Sequence, residues 1–240
     1  MNYVSRFIIL FLGIVLFQGC AEKESWDLVW SEEFEYSGSP DSEKWSYETG
    51  YIRNNELQYY TNELDNVRVE DGNCIITARQ EGEDSITSAS INTSGRMDFL
   101  YGRIEVRAKM PAALGTWPAI WMLGTNRTEL GWPACGEIDI MEHVGYDPDR
   151  IHANIHTKAY NHSIGTNKGN VIEVKDPGSD FHIYAVEWFE DHMDFFMDDS
   201  LYFTFENDMT GNNDTWPFDK PHYLLLNLAY GGSWGGAEGS

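Results

Sequence analysis

Apolar and polar residues change places in short runs along this chain, and nowhere do they recur with the ~3.6-residue period of an amphipathic helix. Residues 103–110 alternate charged and apolar side chains without a break, as a strand with one buried face does. Further strand-like runs are expected at 26–34, 74–78, 151–157, 182–188, 192–197, 200–206 and 223–229. Turn-forming clusters such as Gly72-Asn73 and Asn207-Asp208 separate several of them. Many short strands without helices predict an all-β chain, a two-sheet antiparallel β-sandwich of the jelly-roll kind. There is no internal repeat and no low-complexity linker, so the 240 residues are read as one domain behind a short N-terminal segment.

Two stretches carry more than fold. In 137–142 the carboxylates Glu137, Asp139 and Glu142 sit among apolar, partly β-branched neighbours. On a strand Glu137 and Asp139 share a face, whereas Glu142, five positions after Glu137, falls on the other. One extra residue at Ile140–Met141, a β-bulge, would return Glu142 to the acidic face. The two glutamates would then stand about 13 Å apart at Cα, and inward-leaning side chains would bring their carboxyls toward the ~5–5.5 Å of a retaining glycosidase. A solvated acidic strand face is the alternative that spacing alone leaves open.

In 117–123, Trp117, Ala119 and Trp121 share one face, and Pro118, Ile120 and Met122 the other. The second face suffices for a core. The first either lines a cleft, where indoles stack on sugar rings, or fills the space between sheets. His152 and His156 also share a face, but four strand steps separate them by about 13 Å, too far for one metal. Hydrogen-bonded strand histidines are expected there, and no metal site.

Charge narrows the partners. Sixteen basic against 39 acidic side chains give a formal charge of −23. Such a surface repels phosphate backbones and anionic lipid heads, which argues against nucleic acid and leaves a neutral polymer unopposed. The N-terminus changes the picture of location. Arg6 precedes an apolar run at 7–17 that is short for a membrane span and ends at Phe17-Gln18-Gly19-Cys20. This resembles a bacterial lipoprotein box. Residues 1–19 are expected to be a signal peptide and Cys20 the lipidated mature N-terminus. Residues 20–25 would be a polar tether and 26–240 the folded domain. The expected location is an exported outer-membrane lipoprotein, facing the periplasm or the surface, with plain secretion as the alternative. Membrane contact would be through that anchor only. Of the remaining cysteines, Cys74 is expected as a buried free thiol, and a disulfide with Cys135 is not deducible.

Taken together, the motifs resemble glycoside hydrolase family 16, its laminarinase-type endo-β-1,3-glucanases in particular. Glu137-Ile138-Asp139-Ile140-Met141-Glu142 matches the family's bulged E-x-D-x-x-E signature, preceded by Trp132-Pro133-Ala134-Cys135-Gly136. Asn54-Asn55-Glu56-Leu57-Gln58, Ser94-Gly95-Arg96, the 101–111 and 117–123 blocks and 227–236 follow in family order. The resemblance implies a jelly roll with its cleft on the concave sheet. It implies Glu137 as nucleophile, Glu142 as general acid/base and Asp139 as assisting carboxylate. Asn55, Arg96, Trp117, Trp121, His156 and Trp234 match residues that contact the sugar, Arg96 being the one cation placed in the cleft. The partner implied is a β-1,3-glucan polysaccharide, acted on by a monomer with no catalytic cofactor and, in some members, a structural calcium. The family normally continues past Trp234 into another strand, so the domain is expected to lack its last strand. Competing expectations are the same chemistry on mixed-linkage glucan or an algal galactan, or a non-catalytic glucan-binding surface protein.

Overall fold

The computed structural model describes residues 26–82, 85–175 and 177–240. The leader, Cys20 and the tether lie outside the described residues. In chain order the first strands are β1 (Ser46–Glu48), β2 (Gln58–Tyr60), β3 (Val67–Glu70), β4 (Asn73–Ile76), β5 (Arg79–Gln80) and β6 (Ile86–Ser88). There follow β7 (Ser90–Asn92), β8 (Gly102–Ala108), β9 (Thr116–Gly124), β10 (Glu137–Glu142), β11 (Arg150–His156) and β12 (Lys168–Glu173). The last are β13 (His182–Trp188), β14 (His192–Met197), β15 (Ser200–Glu206) and β16 (His222–Tyr230). Among the described residues, helix is confined to one turn at Arg127–Leu130 and a 3-10 turn at His162–Ile164. No helix among the described residues is long and apolar enough to cross a membrane.

Seven strands in the order β1-β7-β16-β9-β10-β11-β12 form the larger sheet, antiparallel throughout, and β15-β14-β13-β8 form the sheet facing it. This is the all-β sandwich expected. Ile120, Met122, Ile138, Ile151, Ile155 and Leu224 of the large sheet pack against Tyr184, Val186, Trp188, Met193 and Phe195 of the other. The opposite face of the large sheet carries a small apolar floor of Ala119, Trp121, Leu123, Tyr223 and Leu225. The alternation read in 117–123 therefore serves both purposes: its even positions are core, and its odd positions are the floor of a cleft.

Residues 26–34 are not the strand expected of them. They form no regular strand, and Phe34 takes a φ of +54°, outside any strand conformation. Their aromatics pack the core from an irregular segment instead, with Trp30 and Phe34 against Trp45. Cys74 is half-buried rather than buried, and both Cys74 and Cys135 are free thiols.

Candidate active site

The acidic segment becomes β10, and the bulge falls where parity requires it. Asp139 pairs with Trp121 on β9 while Met141 pairs with Ile120, so Ile140 is the extra residue. On the other side Asp139 pairs with Asn154 and Glu142 with His152. Ile140 and Met141 both enter the core, and Glu142 returns to the face of Glu137 and Asp139. Gly136 sets the entry to the strand. Its φ is +82°, and a Cβ there would lie 2.9–3.0 Å from Phe218, His222 and Pro217.

The three carboxylates line a cleft of about 720 Å³ walled by Trp117, Trp121, Trp132 and Trp234. Each glutamate is held by donors. Trp132 Nε1 donates to Glu137 Oε2 at 2.9 Å. Trp117 Nε1 donates to Glu142 Oε1 at 3.1 Å, and Asn154 Nδ2 to Glu142 Oε2 at 2.9 Å. Asp139 has His156 Nε2 3.2 Å from its Oδ2, but the alignment is too poor for a hydrogen bond and that oxygen stays unpaired. The same imidazole nitrogen is 3.7 Å from Glu137 Oε1.

Burial raises all three acids, and repulsion among them adds to it at Glu137 and Asp139. Glu137 is pushed up to about 8, by desolvation first and then by the charge of Asp139, against the opposing pull of His156. Asp139 is raised well above the usual carboxylate range by burial and by Glu142. Glu142 is raised by burial, opposed by His156, Asn154 and Trp117. Asp139, with no donor, is the natural holder of a proton near neutrality; once it is neutral, its repulsion of Glu137 disappears. Glu137 then accepts from Trp132 as an anion at the cleft surface, where 14 % of its side chain remains exposed. Donor atoms of Glu137, Asp139 and His156 converge within 4.8 Å, and the convergence is that of a proton-sharing acid cluster.

Of the sugar-contact positions implied by the resemblance, Trp117, Trp121, His156 and Trp234 line the cleft. Asn55 and Arg96 do not. Asn55 is exposed beside lining residues Asn54 and Glu56, and Arg96 is exposed in the turn after β7, its amide bonded to Thr93 O. The cations on the lining are Arg53 and Arg127 instead. His152 and His156 both face the cleft, but His156 joins the acids, whereas His152 packs its ring 5.0 Å from Trp234. His143 points elsewhere, its Nε2 3.1 Å from Pro148 O. Asn154, Trp132 and Arg53 were not singled out by sequence. Asn154 carried a signal, since it lies between His152 and His156 on the same strand face.

A β-sandwich that sets buried glutamates across an aromatic cleft defines a glycoside hydrolase. The sequence profile described as "Glycosyl hydrolases family 16" matches residues 54–240. The chain is 49 % identical to a beta-glucanase of Rhodothermus marinus, covering 89 % of this chain and 79 % of that one. It is 35 % identical to glucan endo-1,3-beta-glucosidase A1 of Niallia circulans, over 88 % of this chain but 35 % of that one. The crystal structure of the Rhodothermus marinus laminarinase superposes with a TM-score of 0.86 at 48 % identity, covering 90 % of each chain. The chain belongs to glycosyl hydrolases family 16, whose chemistry needs no catalytic cofactor.

Proposed function

We propose that the protein hydrolyses internal bonds of β-1,3-glucan with retention of configuration. Glu137 attacks the anomeric carbon while Glu142 gives its proton to the departing glycosidic oxygen; water, deprotonated by Glu142, then releases the glycosyl-enzyme. Asp139 holds or yields a proton beside Glu137 as charge moves on and off the nucleophile. One observation carries the reading: the bulge at Ile140 puts Glu142 on the cleft face with Glu137 and Asp139. The naming of the similar proteins as laminarinase and endo-1,3-beta-glucosidase supports the polymer. Assay of laminarin, lichenan, agarose and carrageenan side by side, with product anomers followed by NMR, tests it. Preferred turnover of laminarin to products of unchanged anomeric configuration is expected; inverted products would sink the mechanism, and preference for a galactan would sink the substrate.

We infer export and lipidation at Cys20 from the apolar run and Phe17-Gln18-Gly19-Cys20. Incorporation of labelled fatty acid, lost in Cys20→Ser, is the expected result. The monomeric state and a structural calcium rest on the resemblance alone; among the described residues, the one converging group of His, Asp and Glu donors is the acid cluster itself.

A further inference from the structure

The loop between β1 and β2 delivers a cation into a cleft otherwise dominated by acids. Asn54 and Asn55 both take left-handed φ values, 56° and 53°, which turns the chain back just after Arg53. Asn54 O accepts from Ser233 N at 2.9 Å, and Asn54 Nδ2 donates to Glu56 Oε1 at 3.2 Å, so the turn is tied at both ends. From it the Arg53 guanidinium lies 5.0 Å over the ring of Trp121. Its Nη2 is paired with Glu48, whose other oxygen accepts from Ser90 Oγ at 2.7 Å. Its Nη1 is buried and has no partner.

Two consequences follow. Trp121 is not an open stacking platform: Arg53 covers its ring, its Nε1 donates to Asn227 Oδ1 at 2.7 Å, and it is 7 % exposed. And the guanidinium is not sealed off from the cleft, since Arg53 lines it and 16 % of its side chain stays exposed. Trp121 is paired with Asp139 across adjacent strands, and Arg53 lines the same cleft as the three acids. The oxygen-rich molecule that passes there is the glycan.

We propose that Arg53 is a specificity-determining residue, whose guanidinium donates, from the edge that lines the cleft, to a hydroxyl or ring oxygen of the sugar neighbouring the one attacked by Glu137. The assignment rests on the glucanase reading. Glu48 fixes the fork from behind and Trp121 supports it from below, so only its remaining edge is available to the sugar. A lysine in its place would lack the flat fork needed to serve Glu48, the indole and the sugar at once.

The test is Arg53→Met alone and with Glu48→Gln, the double variant sparing the fold an unpaired buried carboxylate. KM for laminarin is expected to rise about ten-fold in both, the loss falling on KM rather than kcat. Arg53→Lys should not restore it. On a Glu137→Gln background, binding of a long laminari-oligosaccharide should weaken by the same factor. Tryptophan emission should move to longer wavelength as Trp121 is uncovered. A KM within two-fold of the unaltered protein, or a fall in kcat at constant KM, would overturn the assignment. Turnover of laminarin by the unaltered protein reads the underlying activity separately: its absence strikes the glucanase reading, whereas an unchanged KM in an active Arg53→Met enzyme strikes Arg53 alone.

Discussion

Ile138 and Glu137 are neighbours on β10, and both faces they belong to are largely withdrawn from water, the cleft face less completely at Glu137. Ile138, Ile140 and Met141 are wholly buried, and Asp139 and Glu142 are only 3 % and 8 % exposed. On the core face burial removes hydrocarbon from water and stabilises the sandwich. On the cleft face it strips solvent from three acids and supplies in exchange two indole N–H groups and one amide. The same strand therefore gains stability on one side and gives some up on the other. Raised carboxyl groups with unspent proton affinity are what a double-displacement glycosidase requires, and they are what a folding optimum would remove.

Substituting the neighbours separates the two faces most sharply. Glu137→Gln should lower turnover of laminarin by at least about a thousand-fold, measured by reducing-end release, while the fold stays intact. Ile138→Ala should do the reverse, losing about 2–5 kcal/mol in urea unfolding with turnover per folded molecule nearly retained. A Glu137→Gln enzyme of normal activity would end the nucleophile assignment. An Ile138→Ala protein of normal stability would mean that the faces are less distinct than their packing indicates.

The acid face also predicts a pH dependence of stability. With a charged Asp139 beside it Glu137 is raised from 4.5 to about 8, and Asp139 is raised as well, so across this window the pair holds a proton that the unfolded chain has released. Its contribution is fully present below about 4.5 and is lost as pH rises through about 8. Stability of the unaltered protein should fall across that window, and Glu137→Gln should flatten the fall. The variant should be the more stable of the two near pH 8, on the order of a few kcal/mol, measured by denaturant unfolding at several pH values. Parallel curves for the two proteins would show that Glu137 is not the group being titrated.

How much of this was readable beforehand depends on whether the cause is local. The strands at 182–188, 192–197 and 200–206 are specified by their own alternation, and their bounds coincide with β13, β14 and β15. The bulge was readable because five positions cannot keep two glutamates on one strand face. Residues 26–34 misled because their aromatic content is strand-like, while their rings pack outside the segment, on Trp45 and on the distant Phe99. The donors that hold the glutamates were the hardest to see. Trp132 reaches Glu137 from a preceding loop, and Asn154 reaches Glu142 only because β11 pairs with β10 in the bulged register. The placement of Arg53 and of Arg96 was hidden for the same reason. Nothing in a loop's own sequence says whether its cation turns toward the cleft, as Arg53 does, or stays exposed in a turn, as Arg96 does.

The smallest expected effect is the most specific to the acid face. Asn154 Nδ2 donates to Glu142 Oε2 and so favours the ionised carboxyl, opposing the upward push of burial. In Asn154→Ala that opposition is lost and Glu142 should keep its proton to higher pH. Because Glu142 must be protonated to assist departure of the leaving group, the alkaline limb of kcat/KM should move to higher pH, with the maximum changed only a few-fold. The acid limb, which reports the nucleophile, should stay where it is, since Glu137 takes its hydrogen bond from Trp132 instead. Movement of both limbs together would mean that the two glutamates titrate as one unit through Asp139. Movement of neither would remove Asn154 from the support of the acid.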